Sequence, residues 1–161
     1  MNTILDPREL RNAFGRFATG VCVVTTVSPD GLAAGLTVNS FSSVSLDPAL
    51  VAWCLGRKAP SLAAFTASTH YVVHVLSADQ QQLAQHFARP SEDKFASVRD
   101  QLDPTPGQVP MFSHALARFE CRKVAMTDCG DHVMVLGQVE RFSYSDEAPL
   151  LFHAGRFIDT R

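Results

Sequence analysis

Between Thr37 and Ser45 the chain reads TVNSFSSVS, and seven of those nine residues carry an alcohol, an amide or a phenyl ring. Taken as a strand, the run puts Thr37, Asn39, Phe41, Ser43 and Ser45 on one face. Val38, Ser40, Ser42 and Val44 fall on the other, because strand side chains alternate. A half-buried strand is apolar on one face, and here neither face is. Two readings stay open. The run is an edge strand with a solvated polar face, or its alcohols, amide and backbone groups line a groove for a flat polar ligand with a sugar-alcohol tail. Apolar strand-like runs on both sides and the abrupt stop at Asp47-Pro48 favour the groove.

Other chemistries find less support. His70 and His74 in HYVVHVL would share one turn of a helix, as zinc sites require. Their β-branched and aromatic neighbours predict a strand instead, along which four residues span roughly 13 Å. One ion cannot bridge that distance, so no metal is assigned. The chain holds no G-x-G-x-x-G, no P-loop and no G-x-S-x-G, the signatures of dinucleotide, phosphate and serine-nucleophile sites. No carboxylate pair stands out by spacing. An enzyme of this composition rests on a cofactor rather than on side chains alone. Cys22, Cys54, Cys121 and Cys129 form no C-x-x-C pair and read as reduced thiols in apolar stretches.

The elements that must position these residues follow from patterning. With 161 residues, 46% of them apolar and 19% charged, the expectation is one domain, residues 1–161, with a proper core. A net charge of -2 argues against nucleic acid as a partner. No apolar run approaches the roughly 18 residues of a membrane span, and MNTILDPREL lacks the features of a secretory signal. A cytoplasmic location is expected. Asp6, Pro7 and Glu9 read as an N-cap, a first-turn proline and a capping box. They open a helix with an apolar stripe of Leu10, Ala13, Phe14 and Phe17 that runs until Gly20. VCVVTTV, the turn SPDG and a strand from Leu32 form a hairpin.

ALVAWCL reads as a buried strand, APSLAAF as a short helix with Pro60 in its first turn, and YVVHVL as a strand. ADQQQLAQHFA reads as a helix with Asp79 at its start and Leu83, Ala84 and Phe87 inward. Residues 99–110, rich in proline, read as a surface loop. Two long strands, ALARFECRKVAMT and HVMVLGQVERFSY, meet at the turn DCGD, and a short strand near LLFHAGRF closes the chain. Adjacent strands with tight turns and few helices predict a mainly β protein, an antiparallel barrel with accessory helices.

Four stretches, FATGVCVVTT, GLTVNSFSSVSLDPALVAWCL, FARPSEDKF and GDHVMVLGQVE, follow one another in the order and spacing of the short-chain flavin reductases. The chain resembles that family from about Phe14 to Phe157. The T-x-N-S-F-x-S-V-S-x-D-P run and the G-D-H motif together carry the likeness. It implies the FMN-binding split β-barrel and an NAD(P)H:flavin oxidoreductase, with FMN or FAD as the flavin and NADH or NADPH as co-substrate. It also implies a homodimer that supplies reduced flavin to a flavin-dependent monooxygenase.

Roles carry over by resemblance. Thr37, Val38, Asn39 and Ser40 meet the flavin ring and ribityl chain, with Ser42 and Ser43 in the same segment. Cys54 and Leu55 border the isoalloxazine. Lys58, opening the short helix, and Ser61 lie toward the phosphate. Phe87, Arg89, Lys94 and Phe95 belong to a flavin-facing loop. Asp131 and His132 stand beside the nicotinamide, with His132 as the catalytic candidate. Arg156 and Phe157 would reach the same place, but His153 and Ala154 depart from the family's pattern there. Two rival functions share the barrel: an FMN-dependent oxidase of a small amine, resembling pyridoxamine-phosphate oxidase, and a non-catalytic flavin-binding module.

Overall fold

A computed structural model describes residues 5–103 and 108–160. Helix α1 (Pro7–Phe14) starts where the sequence predicts, with the Asp6 carboxylate accepting from the Arg8 and Glu9 amides. It stops earlier. The amides of Arg16 and Phe17 bond to the Ala13 and Phe14 carbonyls, and these short i→i+3 bonds tighten and end the helix at Gly15, five residues before Gly20. Most of the apolar stripe is uncovered among the described residues: Leu10 is half-buried, but Phe14 and Phe17 are 70% and 79% exposed.

Strands β1 (Thr19–Gly20), β2 (Cys22–Val27), β3 (Ala33–Val38), β4 (Ser42–Leu46) and β5 (Ala49–Gly56) precede helix α2 (Leu62–Ala67). After β6 (His70–Val75), a 3-10 turn at Ala78–Gln80 leads into α3 (Gln81–Ala88), and a second spans Ala96–Gln101. Strands β7 (Ala117–Cys129) and β8 (His132–Tyr144) form the long hairpin, closed by a two-residue turn in which Gly130 takes a positive φ. The predicted surface loop is thus partly helical, and its tip, 104–107, lies outside the described residues. The single terminal strand is a hairpin, β9 (Leu151–His153) and β10 (Arg156–Ile158).

Seven strands form one antiparallel sheet in the order β3-β2-β6-β7-β8-β5-β4, and β1, β9 and β10 form a small second one. Its two edges, β3 and β4, are consecutive in the chain, so the sheet curls until β3 touches β5 across the gap. This is an antiparallel split β-barrel. The polar run is therefore not one strand: it breaks at 39–41, where the chain crosses from one edge to the other.

Apolar residues on both faces of β2 feed two cores, which is why VCVVTTV shows no alternation. Cys22 and Val24 face the barrel interior with Trp53, Leu55, Phe65, Tyr71 and Val135. Val21 and Val23 face outward, under α3, with Leu76, Phe87, Phe95 and Phe112. Trp53 lies edge-on to Phe65 and Tyr71, with ring centroids 5.0 and 5.6 Å away. Gly137 passes so close to that cluster that a Cβ there would stand 2.0 Å from the Tyr71 hydroxyl. Residues His70 and His74 sit on strand β6 as predicted. His74 is fully buried: its Nε2 accepts the Phe112 amide at 3.1 Å, so Nδ1 carries the proton donated to the Val23 carbonyl, also at 3.1 Å.

Candidate active site

A groove of about 790 Å³ runs along β3. As an edge strand, β3 pairs only with β2 and leaves a row of backbone N–H and C=O groups without a strand partner. Of the predicted residues, Thr37, Ser61, Phe87, Lys94 and Phe95 line this groove. Phe87 and Phe95 meet edge-on at 5.2 Å and form its wall. That wall requires glycine opposite: a Cβ on Gly35 would come within 3.0–3.2 Å of both rings.

Two side chains that the sequence offers to a ligand are engaged with protein backbone. The Thr37 hydroxyl donates to the Ala84 carbonyl at 2.6 Å, tying β3 to α3. Ser40 accepts the Cys54 amide at 2.9 Å and donates back to the Cys54 carbonyl at 3.3 Å, which pins the 39–41 crossing to β5. Lys94 is likewise a clasp. Its ammonium donates to the Gly35 and Phe87 carbonyls at 3.0 and 2.8 Å, joining the 88–95 loop to β3. Partial burial lowers its pKa.

Several predicted residues lie elsewhere. Alternation along β5 turns Leu55 fully into the barrel core while Cys54 stays half-exposed, so the Leu55 side chain does not border the groove. Burial, then the neighbouring Cys129, raises the Cys54 pKa. Lys58 does not open a helix, because α2 starts at Leu62 and Pro60 precedes it; Lys58 stands exposed in the connecting turn. Val38 is buried, and Ser42 and Ser43 are exposed on β4. Arg89, at the end of α3, and Arg156, on β10, are exposed and do not line the groove. Asn39 opens into a different cleft.

Asp131 and His132 stand together at the β7–β8 turn, with His132 Nδ1 on the Asp131 carboxylate at 2.7 Å. The hydrogen bond and charge of His132 hold that carboxyl below its usual range, and the Lys58 cation adds to this. His132 pairs in register with Gly56 of β5, and its Nε2 faces the space that a side chain at Gly56 would narrow. Arg57 fixes the turn: its amide donates to the Asp131 carbonyl, its Nε to the Gly130 carbonyl at 2.8 Å, and it pairs with Asp128 at 2.7 Å. Sequence reading missed Arg57 because its partners lie more than seventy residues away. The groove wall at Ala59–Ser61 follows directly, so the β5–α2 connection carries the histidine turn on one side and the groove on the other.

Residues 14–161 match the family described as flavin reductase like domain. The chain belongs to the flavin reductase family. It is 44% identical to the FMN reductase (NADH) SmoA of Agrobacterium fabrum, over 94% of this chain and 85% of that protein. The reductase component of the flavin-dependent trigonelline monooxygenase of Acinetobacter baylyi is 38% identical over 98% of this chain, which spans only 50% of that relative's length. Among solved structures, the NADH:FAD oxidoreductase of Streptomyces globisporus, in complex with NAD and FAD fragments, superposes with a TM-score of 0.85. It is 36% identical, with 99% of this chain and 97% of that chain covered.

Proposed function

We propose that this flavin reductase is an NAD(P)H:flavin oxidoreductase, acting through a single domain over residues 1–161, whose β3 groove holds FMN or the FMN half of FAD. The observation that carries the reading is that groove: about 790 Å³ of open space beside an unpaired strand edge, walled by Phe87 and Phe95. The donor set fits a flavin. The edge amides and carbonyls of β3, apart from the Gly35 carbonyl that Lys94 holds, match the hydrogen-bonding edge of the ring. Ser61 and the exposed Lys58 offer a hydroxyl and a cation for a phosphate. Phe87 and Phe95 keep water from one side, and Lys94 holds the loop that carries Phe95 in place. Bound flavin supplies the two-electron chemistry, taking hydride from the reduced nicotinamide.

What the chain itself contributes is alignment. Asp131 fixes the His132 ring by its Nδ1, and His132 Nε2 is then the group that orients the nicotinamide. Val38, Asn39 and Ser40 act through backbone and the crossing they shape. The relatives named as monooxygenase reductase components support delivery of reduced flavin to a partner oxygenase. A second copy of the chain is the proposed cover for exposed Leu46 (96% exposed), Val44, Phe142 and Tyr144, giving a homodimer. Among the described residues no helix is long and apolar enough to cross a membrane, and we place the protein with the reduced nicotinamide pool of the cytoplasm.

Mixing the protein with NADH or NADPH under air, with and without added flavin, tests this. Flavin-dependent loss of nicotinamide absorbance is expected. No flavin-dependent rate with either nucleotide overturns the reading. Light scattering at micromolar concentration is expected to give twice the chain mass.

A further inference from the structure

Asp79, His114 and Glu147 come from three separate connections, each more than thirty residues from the next, and the fold brings them to one place. Among the described residues, theirs is the one group of three histidine, cysteine or carboxylate side chains whose ligand atoms all lie within 4.8 Å of one another. We propose that Asp79 Oδ1, His114 Nε2 and Glu147 Oε2 bind a divalent transition-metal ion of the zinc type, as a structural staple. None of the three lines the β3 groove, so the site stands apart from the reductase reading and does not depend on it.

Backbone pairing sets the geometry. Ser77 and Pro149 form an antiparallel bridge. The Ala78 amide on the Ala148 carbonyl at 2.8 Å and the Leu150 amide on the Leu76 carbonyl at 3.0 Å extend it. That register brings Asp79 alongside Glu147. His114 arrives by other ties: the Gln80 side-chain amide donates to the His114 carbonyl at 3.0 Å, and the Leu116 amide to the Val75 carbonyl at 2.9 Å. His114 Nε2 then stands 3.3 Å from Glu147 Oε2 and 3.9 Å from Asp79 Oδ1. Ligand atoms of a tetrahedral zinc ion at its usual bond lengths lie about 3.3 Å apart. One contact already has that spacing, and a small rotation of Asp79 closes the other.

The donor set selects the ion. Two carboxylates brought together repel, and a protonated His114 would balance only one of the two charges. A divalent ion balances both, and zinc takes imidazole nitrogen together with carboxylate oxygen. Calcium and magnesium prefer oxygen throughout. Ser77 stands behind the ligands: its hydroxyl, 1% exposed, donates to Asp79 Oδ1 at 2.6 Å, the kind of outer bond that orients a metal-binding carboxylate. The three ligand side chains are about half exposed, and Asp79 and His114 border a cleft of about 570 Å³. That cleft gives an ion its way in and has room for the water that completes a tetrahedron. Bound there, the ion ties the start of α3 to the segments that lead into β7 and β9.

The test titrates Zn²⁺ calorimetrically into the chelator-treated full chain and into His114→Ala and Glu147→Gln, with circular dichroism as the control on folding. One equivalent is expected to bind the wild type, and to bind each variant at least about tenfold more weakly, since loss of even an outer partner costs that much. Glu147→Gln keeps the side-chain shape and carries the comparison should His114→Ala fail to fold. Zinc at a hundredfold excess over its Kd is expected to raise the wild-type melting temperature by about 5–10 °C, and those of the variants by clearly less. Cys129→Ser, which removes an exposed thiol, is expected to keep the wild-type Kd. Co²⁺ at one equivalent is expected to give the visible bands of a tetrahedral site without a thiolate charge-transfer band. No zinc binding by the wild type, an unchanged Kd in the His114 and Glu147 variants, or a thiolate band with cobalt overturns the proposal. None of these readouts needs flavin or nicotinamide, so a failure of flavin-dependent NADH oxidation is read separately from a failure of this site.

Discussion

In the groove wall, Gly35 lies under the rings of Phe87 and Phe95, and Lys94 closes over them with its ammonium on two carbonyls. In the barrel interior, Gly137 lies under Tyr71, and Lys123 puts its ammonium on the Phe65 and Thr66 carbonyls at the end of α2, both at 2.7 Å. The same parts, a glycine beneath an aromatic ring and a lysine clasp at a helix end, serve two places. What differs is what lies beyond the ring. Tyr71 backs onto Trp53 inside the barrel, while Phe87 and Phe95, also buried, back onto Phe112 and border the groove along β3. Identical local chemistry therefore sets stability in one region and the shape of the proposed flavin groove in the other.

The sharpest break between the regions is expected from alanine at each glycine. In Gly137→Ala the new methyl stands 2.0 Å from the Tyr71 hydroxyl, so a loss of about 3 kcal/mol or more is expected in denaturant unfolding. Flavin affinity per folded molecule stays at the wild-type value. In Gly35→Ala the closest atoms are ring carbons at 3.0–3.2 Å, which need shift by only a few tenths of an ångström. The expected cost is about 1 kcal/mol of stability, with flavin affinity reduced roughly fivefold, equivalent to about 1 kcal/mol. Equal stability losses in the two variants would erase the distinction.

Acid is the next largest lever, and it acts through His74 on the core that β6 shares with Phe112 and Phe87. Burial, as the main cause, lowers the His74 pKa to about 4 from its ordinary 6.5. The folded state therefore binds fewer protons than the unfolded chain between those values, and stability rises with pH through that window. The contribution of neutral His74 is complete above pH 6.5 and is lost as pH falls toward 4, by roughly 3 kcal/mol in all. Protonation removes the acceptor for the Phe112 amide, and Phe112 packs on Phe87. Unfolding free energy measured from pH 7 to pH 4 is expected to fall less in His74→Gln, which cannot titrate; parallel curves for the two proteins would exclude His74 as the cause.

The lysine clasps give a smaller, paired effect. Lys123→Met and Lys94→Met are each expected to cost about 1–2 kcal/mol, since each removes charge-assisted bonds to two carbonyls. Only Lys94→Met also weakens flavin, because only its loop lines the groove. Arginine at position 94 restores part of that affinity if the clasp is the function. Smallest is Ser40→Ala, which orphans the Cys54 backbone groups and is expected to lower stability by about 1 kcal/mol. Fluorescence titration of the folded protein checks that its flavin affinity changes little.

Strand runs, hairpin turns and the barrel class were legible because apolar patterning is local. VCVVTTV, ALVAWCL and the two long strands stand where their residue types predict, whereas the broken alternation of Thr37–Ser45 marks the crossing between the two sheet edges, and of that run only Thr37 lines the groove. The misses share one cause, which is that they depend on partners distant in the chain. Phe14 and Phe17 look like a buried stripe to any periodicity argument, yet among the described residues no element covers them. Ser40 reads as a ligand alcohol until β5 is placed beside it. Leu55 resembles a cofactor neighbour by family likeness, whereas its position in the β5 alternation sends it inward. Arg57 carries no motif at all, and only the β5–β8 register brings it to the Gly130–Asp131 turn.

Trp53 is the chain's only tryptophan, and it is fully buried between Phe65 and Tyr71. The protein therefore carries a single optical reporter fixed in its sealed core. Emission from the native state is expected to be blue-shifted and insensitive to iodide in solution, with a red shift that follows opening of the barrel itself. Disturbance confined to the groove, such as release of Lys94, leaves that spectrum in place. Tryptophan emission and flavin fluorescence thus read the two regions on separate channels of one sample, with no label attached.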